Sequence, residues 1–359
     1  MSRDLFRQGG PYNIRRTGPH QHTFQIPIQS DEHGRIARAC PNDACSPGYF
    51  KVRSGTGITE GEPDMHCPYC RVRREPSEFM TSEQLRYGKD VMMREAHKGI
   101  QDMMKDALGI GPSGRRKFGG GMFSMELSYK PGQPPMVRNP FEEDVQRDVI
   151  CPHCGLDHAV FGLATWCPDC GRDIFMTHVE AEYGVVRTML GDVERRRKEL
   201  GPRIGARDLE NCLEDTVSIL EAVLKAMLTR HLRSAGQSEE EIDRLFKERF
   251  GNRLQSPERA AEIVQNRMSQ DLFENVAAND VLFLKNTFEK RHPITHNLGV
   301  MDRKYLERVM EAERAGKDIL VTSAEIEKAI AISLGLLTSL HNRVFGDSTP
   351  GTEEQSTQE

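Results

Sequence analysis

Eight of the nine cysteines in this 359-residue chain fall into four close pairs, and that pairing limits its possible folds more than any other feature. Cys151-Pro-His-Cys154-Gly and Cys167-Pro-Asp-Cys170-Gly are two knuckles of one form, separated by a segment short enough to be a hairpin. Two residues between thiolates let one tight turn aim both sulfurs at a single ion, and the glycine that follows permits a left-handed backbone. Two such knuckles make a closed tetrahedral zinc site, so Cys151, Cys154, Cys167 and Cys170 are predicted metal ligands. A redox dithiol is the alternative, and the pairing of the knuckles argues against it. Cys40-Pro-Asn-Asp-Ala-Cys45 has a looser spacing, but with Cys67-Pro-Tyr-Cys70 it still fits a zinc ribbon in which strands follow each knuckle. Two structural Zn2+ ions are therefore expected. His66 and His153 lie beside the cysteines, but four sulfurs already complete each set, so both read as bystanders.

Eight protein thiolates leave no open coordination position, and such sites fold a segment without catalysing anything. Ribbons of this kind recognise nucleic acid or protein in some chains and are plain scaffolding in others, and both roles stay open. Disulfides are the other use of paired cysteines, but no signal peptide precedes these, which favours metal. Cys212, the ninth cysteine, falls on a predicted helix and reads as core packing. A net charge of -5 argues against non-specific coating of nucleic acid, though local basic patches are compatible with it. No apolar run approaches the roughly 18 residues that span a bilayer. The expectation is a cytoplasmic protein with no membrane partner.

Between and beyond the cysteines the chain changes character several times. Residues 1–23 are polar and rich in Arg, Gly and His, and are expected to be a disordered tail. A first zinc ribbon is placed at 24–80 and a helix at 81–108, with Leu85, Tyr87, Val91, Met92 and Met93 among its apolar positions. The Met-rich stretch "MMREAHKGIQDMM" within it is read as core. Residues 109–148 read as a linker with a possible hairpin, opening on the glycine-rich "GIGPSGRRKFGGG" and allowing the first ribbon to move independently. A second ribbon occupies 149–176, with Trp166 packed over its zinc site. From 177 to 346 nearly everything is helical. Leu209, Leu213, Val217, Leu220, Leu224, Met227 and Leu228 follow a helical period, Ser256-Pro257 opens one helix, and Thr322 with Glu325 forms a capping box that opens the last. Residues 347–359 are expected to be a second disordered tail. "ERRRKEL" at 194–200 reads as a solvated helical face, and His231 and His341 as structural.

One cluster does not suit a core. An amphipathic helix ends in Arg291-His292-Pro293-Ile294-Thr295-His296, followed by Asn297 and Gly299. Five residues along a straight helix place Arg291 and His296 about 140° apart, on different faces. Pro293 removes a donor and obstructs the preceding turn, so a kink or restart there is expected to bring both side chains to one surface. The bland reading is a helix end with solvated cations near its dipole.

These residues resemble the motif of the HEPN family, helical domains that include many ribonucleases of bacterial defence and toxin systems. Its motif is an arginine, a polar residue, a short spacer and a histidine, and the His-Asn-x-Gly continuation is similar as well. The resemblance covers about 179–346, half the chain, and leaves the ribbons outside it. It implies an all-α HEPN-like bundle with Arg291, His292 and His296 as catalytic residues, and with the ribbons read from the cysteine spacing the expected fold is multidomain, small β zinc ribbons followed by that bundle. It also implies a homodimer whose two motifs share one cleft, RNA as the partner, products with 2′,3′-cyclic phosphate and 5′-OH ends, and a defence or toxin role. RNA carries its own nucleophile, the 2′-OH, so cleavage needs proton transfer and a cation for the phosphorane charge. His296 suits the first, Arg291 suits the second, and His292 assists or orients. No metal is required. A protein regulator is a further candidate partner, and a non-catalytic zinc-ribbon and helical module that binds nucleic acid or protein is the alternative. No P-loop, dinucleotide fingerprint or nucleophile elbow is present.

Overall fold

In the computed structural model, residues 5–19, 21–61, 64–111, 114–120, 123–145, 147–309 and 316–346 are described. They form two units, 1–173 and 174–359. The expected tail at 347–359 lies outside the described residues.

The first unit opens with a hairpin, β1 (Arg15–Gly18) and β2 (Gln21–Thr23), where the sequence suggested disorder. Asn13 and Ile14 close a turn with Gly9 and Gly10, and Gln25 donates back to the Tyr12 carbonyl. Local backbone bonds thus order a segment whose composition alone reads as polar and loose. After it come β3 (Arg35–Ala39), β4 (Tyr49–Arg53) and the short pair β5 (Met65–His66) and β6 (Arg73–Arg74). Helix α1 (Ser82–Ala107) is opened by a capping box between Thr81 and Gln84. The 109–148 stretch does contain a hairpin, β7 (Arg115–Phe118) with β8 (Met125–Ser128). Strands β9 (Arg147–Ile150) and β10 (Asp157–Val160) complete the unit.

The central sheet has the order β3-β4-β10-β9, all antiparallel. Its first two strands come from the first cysteine group and its last two from the second. The two ribbons therefore share one sheet, and the expected freedom of the first ribbon is not what the chain adopts. Alternation along the strands gives this sheet two unlike faces. Phe50, Val52, His158, Val160 and Val149 are buried on one, with Phe50 edge-on to Phe79. On the other, the small residues Ala37 and Ala159 flank Lys51 in register. That leaves room for the Lys51 ammonium to reach Asp31 at 3.1 Å and Glu142 at 3.2 Å. Arg35, only 5% exposed, bonds Asp148 at 2.5 Å and Asp157 at 2.7 Å. Glu142 belongs to the stretch read as linker, whose final part thus covers the sheet.

The methionines of α1 are a correction. Met93 is 56% and Met104 46% exposed, and Leu85, Met92, Ile100 and Met103 are exposed with them. The helix buries Gln84, Val91 and Gly99 instead. Gln84 donates to the Ala37 carbonyl, and Gly99 approaches the Leu5 carbonyl with no room for a Cβ. Close backbone approach selects the small side of a helix, and the apolar stripe is left outward.

The second unit is helical. Helix α2 (Phe175–Leu200) turns at Gly201, where φ of +108° suits glycine, into α3 (Pro202–Ser234), with proline at its first position. Then come α4 (Glu239–Arg244), a π-helical turn Leu245–Phe250 and a 3-10 turn Gly251–Gln255. Helices α5 (Pro257–Met268), α6 (Ala278–Glu289), α7 (Arg291–His296), α8 (Arg303–Val309) and α9 (Ser323–Phe345) follow. Helices α2, α3 and α9 pack against one another, with α5 and α7 against α3. All seven periodic apolar residues of α3 are buried, as is Cys212. The Thr322–Glu325 capping box forms as read, whereas Ser256 precedes α5 without a side-chain cap bond. His341 is buried and stacked on Phe175, and the exposed Arg195 and Arg196 and the half-buried Arg197 are paired with carboxylates. Among the described residues no helix is long and apolar enough to cross a membrane.

Candidate metal centres and a candidate active site

Each cysteine group gathers into one cluster, with one sulfur from each residue and all four within 4.8 Å of one another. In the first, Cys40 and Cys70 sulfurs lie 3.6 Å apart, as do those of Cys45 and Cys67. In the second the Cys151–Cys170 distance is 3.8 Å and Cys154–Cys167 is 3.6 Å. Four sulfurs about 2.3 Å from a central ion sit about 3.8 Å apart in a tetrahedron, so both clusters fit a tetrahedral thiolate metal. Backbone N–H groups of Asn42, Tyr69, His153 and Asp169 point at cysteine sulfurs, which stabilises thiolates. Burial pushes the Cys45 and Cys154 thiols up to about 12, and Cys67 upward as well. A divalent cation at the centre reverses that preference, because a coordinating thiol is deprotonated.

The two clusters are tied to each other through backbone. His66 N–H donates to the Pro168 carbonyl at 2.7 Å, while Thr165 and Trp166 donate to the Pro68 carbonyl at 3.0 and 3.1 Å. Each proline belongs to a knuckle of a different cluster, so the exchange is reciprocal. His66 and His153 both face backbone carbonyls, of Asp169 and Asp173, and neither joins a cluster. Burial holds the His66 pKa below the ordinary imidazole value. Trp166 carries the Arg71 guanidinium 4.1 Å above its ring.

In the second unit Arg291, His292 and His296 line one pocket of about 340 Å³. The helix break lies at Lys290, three residues before the proline. The N–H that Pro293 lacks is the one that would bond the carbonyl of residue 289, so the ladder is interrupted upstream. Arg291 to His296 is consequently one unbroken short helix, and no kink within it brings the side chains together. Instead His292 and His296 sit one turn apart with ring centroids at 5.1 Å, and Arg291 reaches the same pocket with its long side chain. The Arg291 Nη1 donates to Gln255 Oε1 at 2.5 Å, and Gln255 Nε2 donates to Glu221 Oε2 at 2.8 Å. The Arg291 Nε is buried without a hydrogen-bond partner. Thr295 donates to Glu214 at 2.7 Å, and Asn297 to the Val300 carbonyl at 2.7 Å, fixing the turn that follows.

Sequence reasoning missed Gln255, Glu289 and Arg308, which line the same pocket. They come from the turn before α5, the end of α6 and α8, and no short-range pattern marks them. Compared with protein-family models, curated proteins and solved structures, the chain matches none.

Proposed function

We propose that the helical unit is a metal-independent endoribonuclease of HEPN type, and that each cysteine cluster holds a structural Zn2+. The observation that carries the first part is the meeting of Arg291, His292 and His296 in one pocket. The 2′-oxygen attacks the adjacent phosphorus while an imidazole takes its proton. The P–O5′ bond breaks with its electron pair on O5′, which takes up a proton and leaves as a 5′-OH. The other product is a 2′,3′-cyclic phosphate. His296 is assigned proton transfer, His292 assists or orients, and the Arg291 fork meets the charge on the phosphoryl oxygens. The resemblance adds a homodimer sharing one cleft and a defence or toxin setting, and a protein regulator is proposed as a further partner. The two-cluster unit is proposed to recognise nucleic acid or a partner protein. The zinc ions hold backbone and take no part in the chemistry.

Purified protein and its His296→Ala variant, given labelled single-stranded RNA without added magnesium, test the reading. We expect the variant to lose at least about 100-fold in rate, the lower range for losing a positioned acid or base, with an unchanged melting curve. End-group analysis should find the cyclic phosphate. Equal cleavage by both proteins, or none by either across several RNAs, would transfer the weight to a non-catalytic binding module.

A further inference from the structure

Arg308 shares the pocket with the motif residues although it belongs to a different helix. Its Nη1 donates to Glu289 Oε2 at 2.8 Å, and Glu289 stands at the end of α6, directly before the break that starts the motif helix. A guanidinium carries five N–H donors in a planar fork, so one carboxylate oxygen anchors Arg308 and leaves most of its fork for an anion. Arg291 is held differently. Its described partner is the neutral amide of Gln255, and its buried Nε lacks an acceptor. No carboxylate among its described contacts neutralises it. Among the lining residues two guanidinium groups face one carboxylate, that of Glu289, while the carboxylates of Glu221 and Glu214 stand behind Gln255 and Thr295.

Size and lining narrow the ligand. Ligand pockets run from about 300 to 1,000 Å³, and 340 Å³ lies at the low end. Asn252, Gln255 and Ser256 supply neutral hydrogen-bonding groups around the charges. Base-paired RNA cannot place one nucleotide in so small a recess without unpairing.

We infer that this pocket seats one nucleotide of a single-stranded RNA between two phosphate contacts, with Arg291 on the scissile phosphate and Arg308 on a neighbouring one. This rests on the ribonuclease reading for which phosphate is cleaved. The neighbouring-phosphate contact makes the pocket prefer a strand over a free nucleotide, and gives Arg308 a binding role.

The test uses uncleavable single-stranded oligonucleotides in which the nucleotide at the cutting position is 2′-deoxy. Each internucleotide phosphate in turn is replaced by a neutral methylphosphonate. Affinities are measured for the full-length wild-type protein, Arg308→Gln and Arg308→Lys. We expect one flanking replacement to weaken wild-type binding about tenfold, the scale of one lost charged hydrogen bond. Arg308→Gln should bind the charged and neutral oligonucleotides equally and show a shallower salt dependence, while Arg308→Lys retains part of the preference. A wild-type protein indifferent to every flanking replacement overturns the inference, as does an Arg308→Gln variant that keeps the preference. Cleavage of all-ribose RNA, run in parallel with His296→Ala, reports on the nuclease reading separately. Binding preference without cleavage would leave the subsite standing and the nuclease reading fallen.

Discussion

Arg71 occupies the place that glycine takes in the other two-residue knuckles, with φ of +63° against +78° at Gly155 and +64° at Gly171. The left-handed conformation costs a residue with a Cβ about 1–2 kcal/mol, and the stack on Trp166 offsets about 0.5–1 kcal/mol of it. Arg71→Gly is therefore expected to be close to neutral in a thermal melt, and Arg71→Ala clearly less stable than either. If Ala and Gly behave alike, the conformational account is wrong. Arg35 makes a heavier demand. Nearly buried itself, it pairs with the half-exposed Asp148 and with Asp157, which is 15% exposed and would keep only Arg53 at 3.3 Å once Arg35 is gone. Arg35→Ala should cost about 2 kcal/mol, the scale of a lost hydrogen bond between charged groups, read as a lower denaturation midpoint at unchanged slope. Asp31 supplies a pH signature. Burial alone would raise its pKa, but the Arg35 N–H and the Lys51 ammonium overcome that and hold it below the usual carboxylate value. A depressed folded pKa contributes stability that is present above the unfolded value near 3.9, and it is lost as pH falls through the folded one. Melting temperature should drop below about pH 4, and less steeply in Asp31→Asn.

At the scale of elements, the four-stranded sheet makes the two cysteine clusters dependent on each other. Strand β4 of the first group pairs with β10 of the second, and the knuckles exchange bonds through Pro68 and Pro168. Replacing one ligand, as in Cys151→Ser, should thus do more than release one ion. We expect the first cluster, Cys40, Cys45, Cys67 and Cys70, to lose metal affinity as well, measured as bound zinc per chain after dialysis against a weak chelator. Retention of one full equivalent would show that the clusters fold separately. The motif helix carries a different lesson. Pro293 was legible as a break, but its effect falls at Lys290 because the missing N–H serves a carbonyl four residues earlier. The six motif residues are left on one helix, where the i,i+4 relation of His292 and His296 sets their spacing.

For the whole molecule, the division at 173/174 separates a unit that carries the two cysteine clusters and buried ion pairs from one held by apolar helix packing. Each has its own core, so fragments 1–173 and 174–359 should each unfold cooperatively. The first should carry all the bound zinc and the second the cleavage activity if recognition is not needed for a short RNA. A second fragment that loses its helical signal when alone would contradict independent cores.

What the sequence determined by itself was whatever depends on residues near one another along the chain. The knuckles and their ligands, the apolar period of α3 from Leu209 to Leu228, the Thr322 capping box and the Arg291–His296 cluster all rest on local spacing that backbone geometry repeats. Tertiary structure alone decided which strand of one ribbon pairs with the other, which side of α1 is buried, and that Gln255 and Arg308 join the motif residues. Those outcomes turn on register and close approach between distant segments. The Ala37–Lys51–Ala159 row in the sheet and the Gly99–Leu5 contact at α1 are two examples, and no local pattern encodes either.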